Sequence, residues 1–199
     1  EYGHLSNLQR ISVQGNDITG TLPPEYGNLT NLTNINFENN QLSGTLPLEW
    51  GNMTSMVDLR LGANMLSGDL PPELGNMTNL NVIYLQSNSF TGSIPLEWGN
   101  LNPTMWVSLL NNSLTGSIPP DIGDLINLES LVLDNNDLTE NIPPEICDLL
   151  SNNLTYLDLN TNDLDGCIPP CFLTFCQSFT HTIILSNNPG LQYGGSLSA

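Results

Sequence analysis

The stretch Thr91–Leu101, TGSIPLEWGNL, nearly repeats Ser43–Met53, SGTLPLEWGNM, and a looser copy, TGSIPPDIGDL, covers Thr115–Leu125. The same phase runs along the chain. Asn16, Asn40, Asn64, Asn88, Asn112 and Asn136 are 24 residues apart, and Asn162 and Asn188 follow at 26. Apolar residues keep the same clock. One column holds Leu8, Leu32, Met56, Leu80, Leu128 and Leu154; a second holds Ile11, Ile35, Leu59, Ile83, Val107, Leu131, Leu157 and Ile183; a third holds Val13, Phe37, Leu61, Leu85, Leu109, Leu133, Leu159 and Leu185. Thr104 interrupts the first column after Asn102-Pro103, so that repeat is expected to enter its strand in altered form. A fixed period of this length marks an array of units, none of which can bury its apolar face alone; stacked neighbours can.

Within each unit, L-x-L alternates like a half-buried strand, so one short strand per unit should stack into a parallel sheet with the columns inward. The invariant Asn stands where the chain leaves that strand. Its side chain both donates and accepts, so it can satisfy backbone groups of adjacent coils as a structural ladder. The Gly of TGSIP provides φ > 0 or close coil approach. The Pro fixes an extended segment, read as a second short strand on the flank. Trp50 and Trp98 occupy a column otherwise filled by Tyr26, Leu74, Ile122 and Ile146. That company is apolar, so the rings are expected in the convex side of the core and not on a sugar-binding platform.

The unit, L-x-x-L-x-L-x-x-N-x-L-x-G-x-I-P, resembles the leucine-rich repeat (LRR), and its plant-type form in particular, on LTGSIP at 114–119, LSGTLP at 42–47 and ITGTLP at 18–23. The resemblance implies an α/β repeat solenoid: a right-handed curved superhelix of about eight 24-residue repeats, with a parallel β-sheet on the concave face and loops and short 3-10 or helical turns on the convex side. It also implies an extracellular setting and a binding role, as in ectodomain segments of plant receptor-like kinases and receptor-like proteins or in polygalacturonase-inhibiting proteins. Algal and protist surface proteins carry similar repeats. The chain departs from the plant pattern in having no N-terminal cysteine cap, no membrane span and almost no basic residues.

All 199 residues read as one solenoid. The opening EYGHLSNL copies EYGNLTNL at 25–32, so the chain is expected to start mid-repeat, and its first coil to be the end that packs on another coil. The four cysteines lie late, at Cys147, Cys167, Cys171 and Cys176, with spacing that fits no zinc pattern. IPPEIC and IPPC resemble the paired cysteines of adjacent repeats in plant receptor-like proteins, which implies Cys147–Cys171; with the two-residue insertion near 151–153 these two also share a register. Cys167–Cys176 remains as the second pair. Such bonds would staple coils 147–199 and place the chain in an oxidising compartment.

Twenty acidic residues against two arginines, Arg10 and Arg60, give a net charge of −18. That charge argues against nucleic acid or an anionic membrane as partner. No apolar run reaches the 18 residues of a membrane span. Six sequons occur, at Asn28, Asn31, Asn52, Asn76, Asn111 and Asn153. The composition would give about that many by chance, but Asn28, Asn52 and Asn76 stack in one column. No catalytic constellation stands out and no cofactor or metal is expected. Asp134 beside Asp158 reads as solvated carboxylates, and with Asn160 they lack the closed oxygen cage of a calcium loop.

The outward strand positions change character along the chain. Polar residues at Arg10, Ser12, Asn34, Asn36 and Asp58 give way to Val82, Tyr84, Trp106, Leu110, Val132 and Tyr156. Apolar residues on an exposed face mark a contact surface, and Trp and Tyr are common anchors. The expected function is a non-catalytic recognition module binding a protein, peptide or glycan there. The alternative is a building block that stacks head to tail into an extracellular filament. Ice binding ranks third, because the outward columns carry no regular Thr array. Asn111 is expected to point outward and to tolerate substitution.

Overall fold

The computed structural model describes residues 5–175 and 181–192. Eight parallel strands form the concave sheet: Arg10–Ser12, Asn34–Asn36, Asp58–Arg60, Val82–Tyr84, Trp106–Ser108, Ser130–Val132, Tyr156–Asp158 and Thr182–Ile184. Their order in the sheet is their order in the chain. Each strand's central apolar residue pairs with the next one's, from Ile11 with Ile35 to Leu157 with Ile183. The six central residues from Ile35 to Leu157 are buried.

Thr104 does not disturb its coil. It is fully buried, and its hydroxyl donates to the Leu80 carbonyl at 2.6 Å. That bond satisfies the one polar group Thr brings to an apolar column. The strand that follows keeps register on both sides, Trp106 pairing with Val82 and with Ser130. The expected distortion is therefore absent from the strand, and Trp106 points outward while Val107 fills the core.

The Asn ladder is explicit. Asn112 Nδ2 donates to Leu109 O in its own coil and to Leu85 O in the preceding one, while its Oδ1 accepts from Phe90 N. The same set recurs at Asn40, Asn64, Asn88, Asn136, Asn162 and Asn188. Asn16 departs from it: it is exposed, and its side chain bonds only to Val13 O and Gln14 O of its own coil. A second ladder runs alongside. Asn31, Asn79, Asn127 and Asn153 each donate Nδ2 to a carbonyl one coil back, at Ser6, Thr54, Asn102 and Ile126.

On the flank, short strands form two further parallel sheets, one running from Thr19–Thr21 to Ser89–Thr91 and the other from Thr115–Gly116 to Gly190–Gln192. These strands are centred on the Leu-Ser/Thr-Gly segment, ahead of the Pro expected to carry them. The prolines do a different job: Pro23, Pro47, Pro71, Pro95 and Pro119 lead with extended backbone into 3-10 helices, Pro24–Asn28, Leu48–Asn52, Pro72–Asn76, Leu96–Asn100 and Pro120–Asp124. A helix, α1 (Ile146–Ser151), replaces the 3-10 turn in the next coil, and the turn behind it absorbs the two-residue insertion, with Leu154 N bonding back to Leu149 O.

The flank Gly column has φ between 69° and 99° from Gly20 to Gly116. Glu140 takes that place in one coil at φ 65°. A side chain in the left-handed region costs about 1–2 kcal/mol, partly offset by the greater unfolded-state freedom of Gly. Glu140→Gly should therefore raise stability by about 0.5–1 kcal/mol, read as a higher urea midpoint. A lower midpoint would mean that contacts of Glu140 outweigh its backbone cost.

The convex turns stack tightly. A Cβ on Gly51 would lie 2.4 Å from the Glu73 carbonyl oxygen, so only Gly permits that approach. Trp50 and Trp98 are both buried on this side. Trp50 stacks on Tyr26 at 6.2 Å between ring centroids and donates Nε1–H to Pro23 O at 2.9 Å. Near the C-terminal end, a disulfide joins Cys147 in α1 to Cys171, which opens a helix at Cys171–Phe175; the Cα atoms are 5.8 Å apart. Cys167 is a free, exposed thiol, and its expected partner Cys176 lies outside the described residues.

Candidate functional site on the concave face

Parallel pairing in register converts the sequence columns into rows across the sheet. One row runs Arg10, Asn34, Asp58, Val82, Trp106, Ser130, Tyr156, Thr182, and the next runs Ser12, Asn36, Arg60, Tyr84, Ser108, Val132, Asp158, Ile184. Leu110 and Asp134 lie just beyond the strands, each two residues past Ser108 and Val132. The apolar positions singled out in the sequence thus fall together on adjoining coils.

They are not equally accessible. Val82 is only 6% exposed, although its position faces outward. It lies between strands carrying Asp58 and the large Trp106 ring, and it cannot offer much surface to a ligand. Tyr84, Trp106, Leu110 and Val132 are half-buried, and Tyr156 is exposed. Around the small side chain of Ser108, a depression of about 250 Å³ is lined by Tyr84, Gln86, Trp106, Leu110, Ser130 and Val132. Its volume suits one apolar side chain.

The charged groups of the rim on the N-terminal side are paired within the protein, although Gln86 Oε1 is buried without a partner. Arg60 Nε donates to Asp58 Oδ1 at 2.8 Å, and its guanidinium sits 4.9 Å from the centre of the Tyr84 ring. The Asp58 hydrogen bond, opposed by desolvation, holds the Arg60 pKa up. Gln86 reaches across the gap left by Gly62 and donates Nε2 to Glu38 Oε1 at 3.0 Å. The other rim is different. Asp134 and Asp158 stand on neighbouring coils, and Asp158 is 9% exposed. Asp158 accepts from the Asn160 amide and from the Tyr156 hydroxyl. Desolvation, then the charge of Asp158, raises the Asp134 pKa above 3.8, and desolvation, then Asp158, raises that of Tyr156.

A carboxylate whose pKa is raised by folding binds its proton more tightly in the folded state. Asp134 therefore opposes folding above its folded pKa, and the opposition fades as pH falls toward its ordinary value. Asp134→Asn should stabilise the protein at neutral pH and lose that advantage near pH 3.8. Thermal midpoints of both proteins across that range will show it; an advantage independent of pH would remove the electrostatic explanation.

The sequons sort by geometry. Asn28, Asn52 and Asn76 end successive 3-10 helices on the convex side and are exposed. Asn31 and Asn153 spend their side-chain amides on the second ladder. Asn111 is exposed but sits at φ 56° with Oδ1 accepting from Asn135 Nδ2 at 2.6 Å. Its column is left-handed throughout, from Gly15 to Asn187. Asn111 points outward as expected, but Asn is favoured at that φ, so its substitution is expected to carry a backbone cost.

The Leucine Rich Repeat family profile matches residues 7–29, 31–53, 79–101, 127–149 and 153–175, more than half of the chain. The chain belongs to the leucine-rich-repeat family. Its solved neighbours are plant extracellular LRR ectodomains in the main. The ectodomain of the Arabidopsis thaliana membrane receptor kinase GASSHO1/SCHENGEN3, in complex with CASPARIAN STRIP INTEGRITY FACTOR 2, is 30% identical with a TM-score of 0.79, covering 98% of this LRR chain and 26% of that one. The plant peptide hormone receptor RGFR1 in complex with RGF2 is 28% identical at a TM-score of 0.71, over 94% and 33% of the two chains. A plant ice-binding protein is 27% identical at 0.69, over 92% and 66%. The LRR chain thus spans about a quarter to a third of those receptor ectodomains. No curated protein matches it.

The fold is that of receptor ectodomains, and no enzyme family is indicated. Among the described residues, no three His, Cys, Asp or Glu side chains are grouped to hold a metal ion, and no helix is long and apolar enough to cross a membrane. In the flank sheet from Thr19–Thr21 to Ser89–Thr91, partners are 22 residues apart, so the row from Thr21 through Ser43 ends at Met65, and Asp69 faces Thr91. Carbon and carboxylate groups therefore interrupt the hydroxyl rows of that sheet.

Proposed function

We propose that this LRR solenoid is a non-catalytic, extracellular recognition module that binds an extended peptide segment of a partner on its concave face. The observation that carries the reading is the depression bounded by Tyr84, Trp106, Leu110 and Val132 on a sheet whose other outward positions are mostly polar. A half-exposed Trp beside an apolar hollow fits the profile of an interface anchor. Solved neighbours with the same fold hold peptides: the RGFR1 structure is a complex with RGF2. The disulfide supports an oxidising, extracellular compartment. Asn28, Asn52 and Asn76, exposed on the convex side, are the acceptors that would carry glycans clear of the concave face.

Selection of a displayed random dodecapeptide library on the protein tests this. Peptides should be recovered, and Trp106→Ala should weaken a selected peptide about 30-fold, in line with loss of an anchor. The thermal midpoint should barely move, because Trp106 lies outside the core. Peptides that bind the Trp106→Ala protein equally well, or a variant that unfolds, would overturn the concave site.

A further inference from the structure

We propose that the peptide recognised here is cationic at a defined position, carrying an Arg or Lys about two residues from its apolar anchor, with the anchor between Tyr84, Trp106, Leu110 and Val132 and the cation against Asp134 in front of Asp158. This rests on the reading of the concave face as a peptide site.

Charge on this face is left unbalanced. Among the described residues Arg60 pairs with Asp58, and Glu38 is engaged by Gln86. The chain's other arginine, Arg10, stands at the far end of the sheet, five strands from the strand of Val132. Asp158 is the register partner of Val132, and Asp134 lies two residues past Val132, so the two carboxylates stand diagonally on adjacent coils without an arginine on either strand. Desolvation, and then the charge of Asp158, raises the pKa of Asp134. A ligand cation seated against Asp134 would offset the charge of Asp158 there. The chain's net charge of −18 would also steer such a ligand inward.

Spacing sets the position of the cation. Val132 lines the depression and pairs directly with Asp158 on the next strand. Adjacent strands are about 4.8 Å apart, and alternate residues of an extended peptide are about 6.6 Å apart on one face. A peptide crossing the strands with one side chain in the hollow presents its next same-side residue about one to two coils onward. The length of an Arg or Lys side chain closes the remaining gap. Arg suits a carboxylate best, since its fork can bond bidentately.

The same peptide selection, repeated on Asp134→Asn, separates this inference from the reading beneath it. On the native protein, recovered peptides should share an Arg or Lys two residues from a large apolar residue. On Asp134→Asn, the apolar residue should persist and the basic enrichment should fall away. For one selected peptide, Asp134→Asn and an Arg→Gln change in the peptide should each weaken binding about tenfold, and the two together no further. The native affinity should fall as salt is raised. Trp106-dependent peptides without basic enrichment, or additive losses from the paired changes, would sink the cation and leave the concave site standing. Failure to recover any Trp106-dependent peptide would remove both. Asp134→Asn is expected to fold at least as well as the native protein, so loss of binding cannot be ascribed to unfolding.

Discussion

Asn136→Ala should lower stability by about 2–3 kcal/mol, while Asn16→Ala should change it by less than about 0.5 kcal/mol. The two residues occupy the same place in the repeat, yet their surroundings differ. Asn136 is 7% exposed. Its Nδ2 serves Leu109 O, Leu133 O and, more distantly, Asp134 O, and its Oδ1 receives Leu114 N at 3.0 Å. Alanine leaves Leu114 N unpaired, takes one of two side-chain donors from Leu109 O and from Leu133 O, which keep Asn112 and Asn162, and opens a hole where the amide was. Water cannot easily replace it, because Leu109, Leu114, Leu133 and Leu138 around it are all buried. The Asn16 side chain bonds only within its own turn and faces solvent, so water substitutes for it. Urea titrations of the two variants beside the native protein decide the matter. Equal losses would mean that the Asn acts on the local turn alone and that bonding between coils contributes nothing.

That contrast shows what the sequence carries and what it conceals. The period and the Asn columns foretell the ladder, since a donor and acceptor repeated at the exit of every strand has backbone to satisfy. They do not foretell that the ladder points backward, each Asn serving the coil before it. The second ladder was equally visible as a column, Asn31, Asn79, Asn127 and Asn153, but its neighbours make two of its members sequons, and that chemistry masks the structural role. The left-handed column also left a trace, in Gly15, Asn39, Asn111, Asn135 and Asn187, blurred by Ala63, Ser87 and Thr161, which accept the same φ at a cost.

The concave site was legible only in outline. Register brings Tyr84, Trp106 and Val132 onto adjacent strands, as a 24-residue clock must. Burial is another matter, because it depends on which side chains happen to flank a position sideways. Val82 is shielded although it faces outward, and Arg60 is drawn over Tyr84 by a residue on the same strand, Asp58. The Gln86–Glu38 bridge joins residues 48 apart and needs the absent side chain of Gly62 to exist at all. Such contacts belong to pairs of coils, not to the repeat, and periodicity averages them away. Thr104 fails to break its column for a related reason: the nearby Leu80 carbonyl accepts its hydroxyl, so a polar residue fits where the pattern asks for Leu.

The two convex tryptophans make the largest expected effect and the sharpest comparison. Trp50→Ala should cost about 3–5 kcal/mol, as large-to-small changes at fully buried aromatic sites do. Trp50 is fully buried, stacked on Tyr26, with Tyr26 in turn edge-on to Phe37 at 6.5 Å. Removing the ring breaks a chain of three aromatic residues as well as opening a cavity. Trp98 is as deeply buried, but its Nε1 has no hydrogen-bond partner, whereas Trp50 Nε1 donates to Pro23 O. Phenylalanine separates packing from hydrogen bonding. Trp50→Phe loses the bond and leaves the Pro23 carbonyl with the Tyr26 amide alone; Trp98→Phe removes a buried donor that already lacked a partner. The first should therefore be about 1–2 kcal/mol more destabilising than the second, the scale of one hydrogen bond lost against one unsatisfied donor removed. Both lose the same indole volume, so the difference isolates the bond. Matching denaturant midpoints for the two Phe variants would show that ring volume alone matters in this column, and that the repeated LEWGN words differ in spelling only.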